Sequence, residues 1–175
     1  MNKVRSMSMV LVLVLFCAAN ARAQEGKEAY SAGLQALKGG DSDFAYMYFK
    51  SFVKANPRSS RVQGALFSVA EYSFWKNNYY EAKKYLIYYI KKYPNAQERI
   101  FAIAYLLKLA EELGEKSVIE MLQKEVLSKR QMVFLFKNSK EYTYRSLSRK
   151  KHKVIYYIDR VEFYIDGKLL TKVSY

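Results

Sequence analysis

The chain has 175 residues, with 30 Lys/Arg against 16 Asp/Glu for a net charge of +14, and 51% of its residues are apolar. That is enough for a packed core in one domain with an appendage. One cysteine and one histidine exclude a disulfide framework and leave little for metal ligation or nucleophilic catalysis.

Lys3 and Arg5 precede an apolar run from Met9 to Ala19, followed by Ala21-Arg22-Ala23. This charged, apolar and small-x-small layout is that of a secretory signal peptide. It predicts cleavage after Ala23 and an exported, periplasmic or envelope-associated protein. The alternative is an uncleaved anchor, although the run is shorter than the roughly 20 apolar residues that span a bilayer. Cys17 follows Leu15 and Phe16, and a bulky Phe16 beside the scissile bond argues against lipidation. Cleavage after Ala23 removes Cys17, leaving a mature chain without a disulfide or a thiolate.

From Glu28 to Gln131 the chain repeats every 37 residues. Pro57 and Pro94 close two helical runs at that step, and Gly40, Asn77 and Gly114 keep the same step where a tight turn is needed. Ala45 and Ala82, Phe49 and Leu86, and Gly33 and Ala70 stay in register as well. Periods of this length mark stacked supersecondary units. Glu28 to Lys38 and Asp43 to Ala55 carry apolar residues at spacings of three and four, so each helix would bury one stripe. Gly39-Gly40-Asp41-Ser42 predicts a left-handed helix end followed by an N-cap on Asp41 or Ser42. Asn78 with Glu81 reads as a capping box, and Asn95 with Glu98 as a second one. The last unit, Ala96 to Ser128, keeps Gly114 but has Ile119 and Gln131 where Ala and Pro stood, as a terminal cap would.

With Gly33, Ala45, Phe49 and Pro57 in one unit and Ala70, Ala82, Leu86 and Pro94 in the next, the chain resembles the tetratricopeptide repeat family. Its lengthened form is similar to the periplasmic branch, which includes outer-membrane-assembly lipoproteins and Tol-Pal-associated proteins. The resemblance implies a mostly α fold, a stack of about three helical hairpins over residues 24–131. It also implies a protein-binding scaffold whose concave wall comes from the first helix of each hairpin. On this chain that wall falls on Lys27, Tyr30, Leu34 and Lys38, then Phe67, Glu71, Phe74 and Trp75, then Phe101, Lys108, Glu111 and Glu112. The Lys/Asn carboxylate clamp of chaperone-binding members is absent, because Tyr30, Leu34, Phe67 and Glu71 occupy its positions. An aromatic, mixed-charge wall suits an extended or helical protein segment. The same rings also suit simple packing between repeats.

After Gln131 the period changes. Met132 to Phe136, Lys153 to Ile158 and Val161 to Ile165 are rich in β-branched and aromatic residues. Asp166-Gly167 is a strong hairpin signal leading into Leu169 to Val173. Residues 132–175 therefore read as a small β-hairpin or meander, one that must pack on the helices or join a partner's sheet. This tail holds 10 Lys/Arg against 4 Asp/Glu, densest at Arg145, Arg149, Lys150, Lys151 and Lys153 around His152. Export disfavours nucleic acid and leaves an anionic lipid surface, a glycan or an acidic protein as partners, or else a solvated loop.

His152 has no carboxylate near it in sequence, no phosphate-cradling glycine loop occurs, and no metal-ligand spacing is present. The expectation is a non-enzymatic envelope scaffold that uses no cofactor and no metal and binds a protein or peptide. The alternative is a surface-targeting module whose basic tail binds anionic lipid or glycan. The oligomeric state is left open.

Overall fold

In a computed structural model, the positions expected to turn do so with a shared backbone conformation. Gly40, Asn77 and Gly114 have φ of 81°, 58° and 68°, the left-handed region in which a helix most readily ends. The structure describes residues 26–130 and 139–174. The signal-peptide reading, Cys17 and the Met132–Phe136 strand lie outside them. Among the described residues there are six helices: α1 (26–38), α2 (Ser42–Ala55), α3 (Val62–Trp75), α4 (Tyr79–Lys92), α5 (Arg99–Leu113) and α6 (Lys116–Arg130). Four strands follow: β1 (Ser139–Arg145), β2 (Lys151–Tyr157), β3 (Arg160–Ile165) and β4 (Lys168–Ser174). The fold is mostly α with a small C-terminal β meander, as the residue pattern predicts. Helices α2, α4 and α6 begin one 37-residue step apart, and so do α3 and α5.

The chain forms two compact units, which divide between Ala65 and Leu66. In the first, α1 and α2 make a hairpin. The Asp41 amide donates to the Ala36 carbonyl over 2.9 Å, satisfying an orphan group at the end of α1. Its carboxylate then accepts the Phe44 amide at 3.0 Å and caps α2. Phe49 and Phe52 are buried and hold Tyr30 of α1 between ring-centroid distances of 5.7 and 5.1 Å. Gly33 is the small residue that this approach requires, since a Cβ there would lie 2.6 Å from the Phe49 ring.

In the second unit, Asn78 caps α4 by accepting the Glu81 amide at 3.3 Å and donating back to the Glu81 carboxylate at 3.4 Å. The N-cap half of the expected capping box is present, while the Asn78 backbone amide, which the reciprocal half would use, donates instead to the Ser73 carbonyl at 2.9 Å. The Asn95–Glu98 box does not form: α5 begins after Glu98, which makes no capping bond, because tyrosine hydroxyls take its carboxylate. Ten residues of α5, on all sides of it, are buried. Such a helix has to be enclosed by neighbours, and α4, α6 and β4 supply contacts.

The sheet is antiparallel in the order β1-β2-β3-β4. His152, Val154, Val161, Phe163, Ile165, Thr171 and Val173 line its buried face. Asp166 and Gly167, at φ 49° and 82°, form the expected turn between β3 and β4. Replacing Gly33 by Ala should lower stability by about 1–3 kcal/mol through overpacking against Phe49. The same change at Gly39, whose Cβ would meet its nearest atom at 3.5 Å, should cost far less; urea denaturation of both variants checks this.

Candidate functional site

Half of the wall residues expected on α3 and α5 are not open to a partner, chiefly because the chain's own sheet lies over them. Phe67, Glu71, Phe74 and Phe101 are buried. Phe67 meets the Tyr144 and His152 rings at 6.0 and 5.6 Å, and Phe101 meets Tyr142, Tyr144 and His152 at 6.0, 6.1 and 5.0 Å. The reason is that a small meander is marginal in water unless one face is covered, and this aromatic wall supplies the cover. The other four wall positions keep some access: Trp75 and Glu112 are exposed, and Lys108 and Glu111 are half-buried. Trp75 is 45% exposed, and Lys108 pairs with Glu112 along α5 at 3.5 Å.

Beneath the sheet lies a polar network that neither the repeat pattern nor the tail composition announces. Glu71 is 1% exposed. Its Oε1 accepts from the Tyr105 hydroxyl at 3.0 Å and lies 2.9 Å from His152 Nε2. Its Oε2 accepts from Ser146 at 3.0 Å and also from Ser148. His152 Nδ1 is 3.1 Å from the Lys150 carbonyl oxygen, so both ring nitrogens face oxygen acceptors. Trp75 Nε1 donates to Tyr105 at 3.4 Å. Two further carboxylates face the sheet. Glu98 accepts from Tyr144 at 2.8 Å and Tyr89 at 3.1 Å, and Glu111 accepts from Thr171 at 2.9 Å.

Serine, histidine and glutamate together invite a hydrolase reading, but the order of contacts is wrong for one. A nucleophilic serine needs a ring nitrogen at its hydroxyl. Here Ser146 and Ser148 both donate to Glu71, and Nε2 is occupied by Glu71 and Tyr105. The arrangement is a clasp in which each buried acceptor is satisfied from across the interface. Burial first, and then the Glu71 charge, push the Tyr105 hydroxyl pKa well above its ordinary value. Burial, followed by the hydrogen bond to Glu98, does the same to Tyr144.

The first unit presents a different surface. Lys27 is exposed, and Tyr30 and Leu34 are half-buried on α1. Beside them is a cleft of about 270 Å³ lined by Gly26, Lys27, Phe52, Asn56, Ser59 and Arg61. The Arg61 guanidinium sits 5.1 Å from the Tyr30 ring centroid, a cation–π distance. Its backbone amide donates to Ser59 Oγ at 3.3 Å, which sets the loop after Pro57. Ser59 and Arg61 belong to the residues that lengthen the repeat after its proline, and that extra length is the signal that could have picked them out; Asn56, just before the proline, is the C-cap of α2.

The basic tail residues are divided by the structure. Arg145, Arg149 and Lys151 are exposed. Lys150 lies 4.8 Å above the Trp75 ring and 3.7 Å from Asp166, and Lys153 lies 5.2 Å from the Tyr164 ring. Among the described residues no His/Cys/Asp/Glu cluster could hold a metal ion, and no helix is long and apolar enough to cross a membrane. No family model matches the chain, and no curated protein matches it.

Removing Glu71 as Glu71→Ala leaves several buried donors without an acceptor and should cost about 3–5 kcal/mol. Thr171→Val, at the clasp's edge, should cost about 1 kcal/mol; near-UV circular dichroism in urea ranks them. Unfolded tyrosines ionise near pH 10, while folded Tyr105 and Tyr144 keep their protons. The native state therefore binds more protons there, and stability should be intact below about pH 10 and fall above it. Tyrosinate absorbance rising together with loss of the near-UV signal is the expected result.

Proposed function

We propose that the protein is a non-enzymatic adaptor of the cell envelope, built from tetratricopeptide-type hairpins, that binds a protein or peptide segment at the α1–α2 hairpin. The observation that carries this reading is the cleft beside Tyr30, whose lining brings apolar Phe52 together with the cations Lys27 and Arg61. Concave sites with an apolar lining and a few convergent polar groups are where ligands bind. An apolar residue followed by a carboxylate fits Phe52 and the two cations. The spacing of helix starts and left-handed turns supports the repeat architecture, and the leader layout supports export. In the second and third hairpins the sheet covers Phe67, Glu71 and Phe101, so these hairpins serve as the support that holds it.

The reading predicts that extended peptides with an aromatic or aliphatic residue beside Asp or Glu bind, and that their amidated counterparts bind less well. Arg61→Ala and Tyr30→Ala should each weaken binding about tenfold, which corresponds to roughly 1.4 kcal/mol. Fluorescence anisotropy across an acidic and a neutral peptide set measures this. Equal binding by wild type and both variants would rule out the cleft.

A further inference from the structure

The connections β1–β2 and β3–β4 meet at one end of the sheet, where the Asp166 amide donates to the Lys151 carbonyl and the Lys151 amide donates to the Asp166 carboxylate, each over 2.8 Å. Arg145 stands directly opposite Lys151 across the β1–β2 ladder, and Lys153 follows two residues on. Strand alternation turns these three away from the buried His152 and Val154. Like charges directly opposed across a ladder destabilise a sheet. Arg149 adds a further cation at the tip, in the left-handed conformation at φ 64°. Two carboxylates of the described residues lie at this end, and both are engaged: exposed Asp166 by Lys150 and the Lys151 amide, and buried Glu71, beneath the turn, by Ser146, Ser148, Tyr105 and His152. Glu141 lies farther along the outward face, opposite Ile155, and Glu162 there is held by Arg160 and Tyr164 at 2.7 and 2.6 Å. The cations at the end are left in mutual repulsion.

Two exposed apolar groups lie by this end, Trp75 on the helix side beside Lys150 and Leu169 on the outward face. Trp75 is 45% exposed, fixed by its bond to Tyr105 and by the Lys150 ammonium over its ring. Leu169, opposite Tyr164 on the outward face, is 53% exposed. We propose that this end of the second unit docks on an anionic phospholipid bilayer, with Arg145, Arg149, Lys151 and Lys153 against headgroup phosphates and Trp75 and Leu169 entering the interface. Tryptophan favours that depth because its ring is apolar while its N–H is polar. Each cation near an anionic surface adds about 1 kcal/mol of attraction, roughly fivefold in partitioning. A sugar polymer or a single-stranded nucleic acid would instead need free aromatic faces to stack on. The outward tyrosines offer less: Arg160 lies 4.0 Å from the Tyr157 ring centroid and Lys153 covers Tyr164. Four cations spread over the outward face and the adjoining turn suit a smeared charge better than one defined anion.

Trp75 is the chain's sole tryptophan, so its emission reports on this site directly. The protein is titrated with vesicles of phosphatidylcholine alone and of phosphatidylcholine mixed with phosphatidylglycerol, and flotation is measured in parallel. The expected result is a blue shift and co-flotation with the mixed vesicles only, both lost at high salt. Arg145→Glu replaces the repulsion with a cross-strand pair to Lys151, so it should melt no lower than wild type. It should also weaken partitioning by about tenfold or more, since two charge units are removed. No emission shift, equal binding to neutral vesicles, or an Arg145→Glu variant that binds as tightly as wild type overturns the proposal. So does binding to a soluble anionic polysaccharide without binding to the vesicles. The cleft on α1 and α2 takes no part in this measurement, so the adaptor reading and the docking proposal fail separately.

Discussion

Everything in the second unit depends on burying one carboxylate. Placing Glu71 in a nearly solvent-free position costs several kcal/mol unless it is paired and hydrogen-bonded. Its partners do not come from its own helix. Tyr105 is on α5, Ser146 and Ser148 are in the β1–β2 turn, and His152 is on β2. The sheet must therefore be in place for α3 to be stable in this form. The aromatic wall needs it equally, because Phe67 and Phe101 would otherwise face water. Apolar burial supplies the driving force, and the Glu71, Glu98 and Glu111 contacts fix which register of the sheet is accepted. Sliding the strands by one residue would turn His152 outward and leave Glu71 without it.

This constraint explains why the hairpins differ in role despite their common period. A stack of helical hairpins usually exposes the first helix of each unit to a partner. In the second unit, α3 and α5 have already taken a partner from their own chain, and the surface available for other contacts moves to the rim of the sheet. The first unit keeps its α1 face accessible, with the Lys27–Arg61 cleft beside it. The two surfaces differ in chemistry, one being a small cleft lined by Phe52, Lys27 and Arg61 and the other a cationic sheet end.

Local signals were legible in the sequence, and long-range ones were not. Gly40, Asn77 and Gly114 stood out because a left-handed turn demands particular residue types at one position. Asp166-Gly167 stood out for the same reason. The Asn78 N-cap, with Glu81 three residues on, was readable because both residues lie within one turn of helix, although Glu81 meets the Asn78 side chain and not its backbone amide. Asn95–Glu98 has the same spacing, but tertiary structure overrode it: Tyr89 and Tyr144 claim the Glu98 carboxylate. Strand β1, with Lys140, Glu141, Tyr142, Thr143, Tyr144 and Arg145, escaped notice because an edge strand with two tyrosines as its only apolar faces carries a weak alternation. The Glu71 clasp was out of reach altogether. Its partners lie 75 residues away at Ser146, 77 at Ser148 and farther still at His152, and nothing in the repeat distinguishes a buried glutamate from a wall residue awaiting a ligand. His152 looked solitary in a basic loop for that same reason.

The most direct test of the account is native-state hydrogen exchange on the whole protein, read amide by amide across α3, α5 and the sheet. If Glu71 and the aromatic wall bind the sheet as described, amides of β2, β3 and α5 should open together, with one free energy close to that of unfolding the unit. If the strands exchange in a separate, low-energy opening while α5 keeps its protection, the sheet is a loosely held appendage and the central claim is wrong.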